Sequence, residues 1–359
     1  MLKANKGEWS EIYALLKILS DKQLSVGDGD LNKIESILLP VIKILRKESN
    51  GTHEYSYESD LVIVRSSGEE VKIPISTFQE KAASLLSKLK GKTDRTFSIP
   101  EIETFMSSFN STSIKTKSSI KSDIRIVVHD QRTGATPELG FSIKSQVGNP
   151  STLLNAGKTT NFIYEIENVV LSEEQIQEIN SISTGSKIKD RVAKIIDYNG
   201  TLKFIKTEKV VFGNNLMLID SALPQILAEI VYLFFKSNFS KTAELVEEIS
   251  KINPLGFNLE TNHPFYSYKM KRLLTDVALG MVPSKVWTGK FDTTGGYLIV
   301  KEDGDVLCYH IYNRNEFEDY LLNNTKLETP SSSRHDFGSV YQIGTKQYFK
   351  LNIQIRFLD

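Results

Sequence analysis

The chain has 359 residues, 40% hydrophobic and 25% charged, with 44 basic residues balanced by 44 acidic ones. That is a globular composition with no biased class standing out, long enough for one large domain or two ordinary ones. The single cysteine, Cys308, rules out an internal disulfide framework, and no Cys/His group has zinc spacing. Charge neutrality neither supports nor excludes a nucleic-acid partner, because the local field at a binding face decides that. The opening residues Met1–Lys6 lack the apolar run of a signal peptide. The expectation is a soluble cytoplasmic protein without a membrane span.

Residues 5–20 carry Trp9, Ile12, Tyr13, Leu16 and Leu19 at helical spacing. Glu8 and Glu11 flank that stripe on nearly the same edge. Taken alone they read as solvated first-turn acids favoured by the helix dipole. A second helix is predicted at 30–47, from Ile34, Ile37, Leu38, Val41, Ile42 and Leu45 around Pro40. A hairpin is predicted at 61–65 and 71–75, and helices at 77–90 and 100–110. The Ser/Thr/Lys segment 111–121 reads as a solvated loop or as a track for a phosphate backbone.

Two further segments read as strands, Ser122–Asp130 and Leu139–Gln146, joined by a Gly/Pro-containing connector. Beyond them Ser151 is expected to cap a short helix ending at Gly157, followed by a strand from Thr160 to Val170. Helices are expected near 172–182 and 186–196, a strand at 202–212, and one long apolar helix at 215–236, kinked at Pro224. Helices near 240–251 and 264–281 precede a β-rich end: strands at 297–301, 306–312, 338–343 and 346–357, with a short helix at 314–323. The fold class is therefore α/β (α+β), a mixed central sheet flanked by helices. One composite domain is expected over 1–359: N-terminal helices (1–50), a core (51–212) around the hairpin 122–146, a helical region (213–285) and a β-rich C-terminal lobe (286–359).

The hairpin carries the chemistry. Folding it antiparallel brings Asp123, at the start of one strand, beside Lys144, at the end of the other. Phosphodiester cleavage needs a cation to neutralise developing charge and a water activated in line with the leaving oxygen. Asp123 is a good hard-oxygen ligand for Mg²⁺, and the carbonyl of Ile143 faces the same side. Lys144 is placed to hold the attacking water, and its plain alternative is a surface lysine on a strand edge. Gln146 alternates onto the face of Lys144, where it can touch the scissile phosphate or simply end the strand.

An Asp followed about twenty residues later by x-x-Lys on the neighbouring strand resembles the PD-(D/E)xK nuclease pattern. Asn5-Lys-Gly-Glu-Trp-Ser-Glu-Ile-Tyr13, Gly140-Phe-Ser-Ile-Lys-Ser-Gln146, Thr152-Leu-Leu-Asn-Ala156, Thr160-Asn-Phe162 and Lys350-Leu-Asn-Ile-Gln-Ile-Arg-Phe357 together resemble the HpaII family of type II restriction endonucleases. The resemblance spans nearly the whole chain. It implies an Mg²⁺-dependent endonuclease acting on double-stranded DNA at the palindrome CCGG, with a cognate DNA methyltransferase as its functional partner. It also marks a departure, since Ser142 stands where the second metal-binding acid is expected. Glu8 and Glu11 are then the foremost candidates to compensate, ahead of Glu165 and Glu167; Glu138 and Asp130 lie at the far, turn end of the hairpin.

DNA contacts are expected from the polar stretch Asn149, Ser151, Thr152, Asn155, Lys158, Thr159, Thr160 and Asn161, and from the loop carrying Arg334 and His335. Most would meet phosphate rather than read bases. Each has a plain alternative, such as Ser151 as a cap or Lys158 as a solvated charge. A palindromic target favours a two-fold homodimer. The rival readings are a repair or recombination nuclease on the same core, a non-catalytic DNA-binding protein and, weakest, a DNA methyltransferase. For the last, His263 breaks the Asn-Pro-Pro-Phe pattern in Asn262-His263-Pro264-Phe265, and no Gly-rich cofactor loop follows a strand.

Overall fold

The computed structural model describes residues 2–114, 122–291 and 295–358. Most of the basic 111–121 segment therefore lies outside the described residues. The chain begins with α1 (Lys6–Asp21), where Asn5 accepts the Glu8 amide and Glu8 accepts the Asn5 amide, a reciprocal capping box. The predicted stripe is its buried face: Trp9, Ile12, Tyr13, Leu16 and Leu19 are all in the core.

Then follow β1 (Gln23–Gly27) and β2 (Lys33–Glu48). The helix expected at 30–47 is thus a sixteen-residue strand. Its β-branched content suits a pleated surface, and Pro40 would cost a helix interior a hydrogen bond. A register shift between Val41 and Lys43 breaks the alternation, which is why the apolar residues mimic a helical period.

The chain continues through β3 (Gly51–Glu58), β4 (Leu61–Ser66), β5 (Glu69–Pro74), α2 (Ile75–Gly91), α3 (Pro100–Ser107), β6 (Ile124–Val128) and β7 (Glu138–Ser145). A second stretch holds β8 (Thr152–Leu154), β9 (Asn161–Glu167), α4 (Glu173–Ser181), α5 (Lys187–Asp197), β10 (Thr201–Thr207), α6 (Val210–Ile219), α7 (Leu223–Lys236), α8 (Thr242–Ile252) and α9 (Phe265–Ala278). The end of the chain supplies β11 (Gly295–Val300), β12 (Val306–His310), α10 (Arg314–Asn323), β13 (Thr325–Glu328), α11 (Ser332–His335), β14 (Val340–Ile343), β15 (Lys346–Asn352) and β16 (Gln354–Phe357).

These elements pack as two compact units, one of residues up to 151 with 295–320, the other of 152–291 with 321–358. The expected boundaries at 50, 212 and 285 do not coincide with the ends of these units. In the first unit the described strands form a sheet in the order β1-β12-β11-β7-β6-β2-β3-β4-β5. An additional β1–β2 pairing closes its first six strands into a ring. The core beneath it joins Trp9 and Leu16 of α1 to Phe78 of α2, Phe105 of α3 and Phe141 of β7.

The second unit contains a sheet ordered β10-β9-β15-β14 and a smaller one ordered β13-β16-β8, with helices around them. Here three expectations are corrected. The stretch after Ser151 is a short strand, β8, paired with β16, so Ser151 caps no helix. The strand expected over 202–212 ends at Thr207. The long apolar helix is two helices, α6 and α7, meeting at 110°. Asp220 and Pro224 account for that break, because Pro suits the first turn of a new helix and not the middle of an old one. No single described helix is long and apolar enough to cross a membrane.

Candidate active site

β6 and β7 pair antiparallel with Ile124 opposite Phe141 and Ile126 opposite Leu139. The pairing runs one step past β6, because the Asp123 amide donates to the Phe141 carbonyl at 2.8 Å. The Asp123 carboxylate then accepts the Ile143 amide at 2.7 Å. Amide and carbonyl of one strand residue point to the same edge, so the Ile143 carbonyl faces the edge where the Asp123 carboxylate sits. Strand alternation puts Ser142 and Lys144 on the opposite face from buried Phe141. On its other edge β7 runs parallel to β11, with Lys144 level with Ile299. The Lys144 Nζ lies 5.3 Å from the centre of the Tyr297 ring.

Ionisation at this end of the hairpin is set against both groups. Burial pushes the Asp123 carboxyl upward, opposed by the Ile143 amide and the positive charges of Lys144 and Arg46. Burial pushes Lys144 downward, opposed by the negative charges of Asp123 and Glu11. The fold thus holds an acid and a base together, each half-buried.

α1 brings its acids to the same place. Ser10 Oγ donates to the Ser145 hydroxyl at 2.8 Å and ties the helix to β7. Glu8 serves the capping box, whereas Glu11, almost one turn later, acts on Lys144. A cleft of about 980 Å³ is lined by Glu8, Glu11, Ile143, Lys144, Gln146, Asn149 and Ser151. It is also lined by Lys6, Lys92, Arg95 and Glu302, which no local pattern singled out. A Cβ on Gly148 would lie 3.2 Å from the Lys6 Cβ, so a glycine there lets the loop after β7 close on the helix start.

No group of three or more His, Cys, Asp or Glu that could hold a metal occurs among the described residues. Ser142, half-buried on β7, supplies no carboxylate. The oxygen groups around Lys144 are hard ones: the Asp123 carboxylate bonded to the Ile143 amide, and the Glu11 carboxylate, whose charges both act on the lysine. That chemistry fits a divalent cation that keeps several of its waters.

The other expected acids are spent elsewhere. Asp130 is 1% exposed; it accepts the Arg132 amide at 2.9 Å and side-chain bonds from Arg132 and Tyr312, which hold its carboxyl far below the usual range. Glu138 pairs with Arg125 at 2.6 Å, Glu165 with Lys346 at 2.8 Å and Glu167 with Lys203 at 2.9 Å.

The expected DNA contacts divide. Asn149 is exposed, while Ser151 is half-buried at the cleft. Asn155, Lys158 and Arg334 are exposed in the second unit, with Thr152, Thr159 and His335 partly so. Burial and the Arg334 charge push His335 below its ordinary pKa. Thr160 and Asn161 are corrected: at 1% and 0% exposure they face the interior. Thr160 Oγ1 bonds the Gly157 carbonyl and Asn352 at 3.0 Å each. Asn161 donates to Glu208 at 2.7 Å and to the His335 carbonyl at 2.9 Å. Their polar atoms serve the fold, because a buried amide left without these partners is costly.

The family model described as HpaII restriction endonuclease matches residues 5–357. The type II restriction enzyme HpaII of Haemophilus parainfluenzae is 54% identical over 359 residues, covering 99% of this chain and 98% of that enzyme. No solved structure matches the chain. With α1, the Asp123–Lys144 hairpin and the closing strands all inside the matched span, the chain belongs to the HpaII restriction endonuclease family and is a type II site-specific deoxyribonuclease.

Proposed function

We propose that the chain cuts double-stranded DNA at CCGG with Mg²⁺, through the open end of the β6–β7 hairpin. The observation that carries this reading is the 2.7 Å bond from the Ile143 amide to Asp123. It holds the Asp123 carboxylate at the edge of β7, next to the two residues, Ile143 and Lys144, that line the cleft with Glu8 and Glu11 of α1.

Asp123, the Ile143 carbonyl and Glu11 would hold the cation. Glu11 is the acid that offsets the neutral Ser142, and Glu8 is left to the capping box. When bound, Mg²⁺ neutralises charge on the phosphate and lowers the pKa of a bound water. Lys144, as an ammonium, orients the attacking water and stabilises the negative charge that develops on its oxygen. Gln146, one residue beyond β7 and lining the same cleft, contacts the scissile phosphate. Lys6, Lys92 and Arg95 line the cleft as cations for the flanking phosphates. Asn149 and Ser151 stand nearest the cut, while Thr152, Asn155, Lys158, Arg334 and His335 contact DNA from the second unit. A palindromic target is matched by a two-fold pair of chains, and methylation of the target by a cognate methyltransferase protects the host's own DNA.

Digestion of a defined plasmid with Mg²⁺, by the native protein and by Lys144→Ala, tests the reading. Discrete fragments with ends at CCGG are expected from the native protein. The variant should cleave about 10²–10³-fold more slowly, the usual cost of removing one group that stabilises developing negative charge. Equal cutting by both proteins removes the hairpin from the mechanism.

A further inference from the structure

We propose that Tyr297 is a positioning residue for Lys144: the face of its ring fixes where the ammonium sits in the cleft. This rests on the role given to Lys144 above. Asp123 and Glu11 attract the ammonium, but charge acting at a distance does not choose among the rotamers of a long side chain. Lysine carries four rotatable carbons, and an unheld ammonium spreads over several positions. A ring face does choose, because the attraction is strong only over the π surface.

The placement follows from register. β11 runs parallel to β7 with Tyr297 level with Ser142, one pleat before the partner of Lys144. Residues level across a parallel pair share a face, so Tyr297 projects on the side that carries Ser142 and Lys144. The Nζ-to-ring distance of 5.3 Å is within the range where a cation is attracted to the ring.

The ring is itself held. Tyr297 is 7% exposed and meets Phe317 edge to face, at 5.8 Å and 75° between planes. Across the antiparallel β11–β12 pair it stands opposite Tyr309, which stacks on Tyr320 at 4.1 Å and 20°. The neighbouring backbone leaves no slack either. A Cβ on Gly296 would come within 2.0 Å of the Tyr309 carbonyl oxygen, so only glycine allows the two strands this approach. A ring packed on these sides is a fixed wall, and the lysine beside it inherits that definition.

The test is single-turnover cleavage of a CCGG duplex at saturating enzyme and Mg²⁺, with duplex affinity measured separately without metal. Tyr297→Leu keeps an apolar side chain and removes the π face. It should slow cleavage about 5- to 30-fold, the equivalent of one desolvated cation–π contact, with affinity within about twofold of native. Tyr297→Phe keeps the ring and should restore most of the rate. Should Tyr297→Leu fail to fold by thermal unfolding, Tyr297→Met is read instead by the same criteria. A folded Leu or Met variant that cleaves at the native rate overturns the proposal, and so does a Phe variant as slow as the Leu variant. Lys144→Ala run alongside separates the two ideas. If it cleaves normally, the role of Lys144 fails and that of Tyr297 falls with it. If it is inactive while Tyr297→Leu is native-like, only the proposal about Tyr297 fails.

Discussion

Asp123 and Asp130 flank one short strand, β6, yet the fold treats their carboxylates in opposite ways. Around Asp130 the chain supplies a backbone amide, a guanidinium and a phenol, and the carboxyl is driven far down. Around Asp123 the described residues include the Ile143 amide and two cations acting at a distance; burial outweighs them, and the carboxyl is driven up. The first environment serves the charge and locks the turn between β6 and β7. The second sustains a charge against its own solvation, beside a lysine pushed in the complementary direction. The proposed reaction assigns the second environment to catalysis and leaves the first to stability.

Replacing each aspartate by asparagine gives the sharpest contrast. Asp123→Asn should lower cleavage about 10³-fold, the rate equivalent of losing several kcal/mol of metal-assisted charge stabilisation. Its unfolding temperature should hold or rise. The sign follows from linkage: a pKa raised on folding means that the ionised form opposes folding above that pKa, and asparagine never ionises. It also leaves Glu11 and Lys144 as a balanced pair. A steep loss of stability in this variant would break the comparison.

Glu11 and Glu8 extend the contrast to α1. Glu11→Gln should cut the rate about 10²-fold with little change in stability. Glu8→Ala should leave the rate near native and cost about 1 kcal/mol, through loss of the capping box. Cleavage rates and urea unfolding of the two variants check this pair. A rate loss confined to Glu8→Ala would move the compensating acid to the other residue.

Asp130→Asn should behave as the reverse of Asp123→Asn, destabilising by about 1–3 kcal/mol through a weakened buried hydrogen-bond set. Below its unfolding transition it should still cleave at close to the native rate. Because the Asp130 pKa is lowered on folding, its stabilisation is present above the unfolded value of about 3.9 and fades as pH falls toward the folded one. Acid titration of urea unfolding should therefore show native and variant converging only in strong acid. Parallel curves throughout would mean that the turn does not depend on this charge.

The contrast between the aspartates was half legible in the sequence. The strand–turn–strand pattern located Asp123 and Lys144 and put Asp130 at the turn, since alternation and Gly/Pro punctuation are local signals. Asn5-x-x-Glu8 also carries a capping signature, so a closer reading of that spacing separates Glu8 from Glu11. β2 reads as a helix because Ile, Leu and Val satisfy both periods when a register shift interrupts the strand, and Pro40 fits a bent helix as well as a strand. Thr160 and Asn161 look like any polar loop until Asn352 and Glu208 close on them. Tyr297 and Arg95 are invisible locally. Strand pairing sets Tyr297 against Lys144 and loop packing brings Arg95 to the cleft, across separations that no window of sequence contains.

The most direct test of the account is the single-turnover cleavage rate of Asp123→Asn and Asp130→Asn on one CCGG duplex, below both unfolding transitions. The Asp123 variant should be folded and nearly inactive, and the Asp130 variant less stable and active. An Asp123→Asn protein that cuts as fast as the native chain would contradict it.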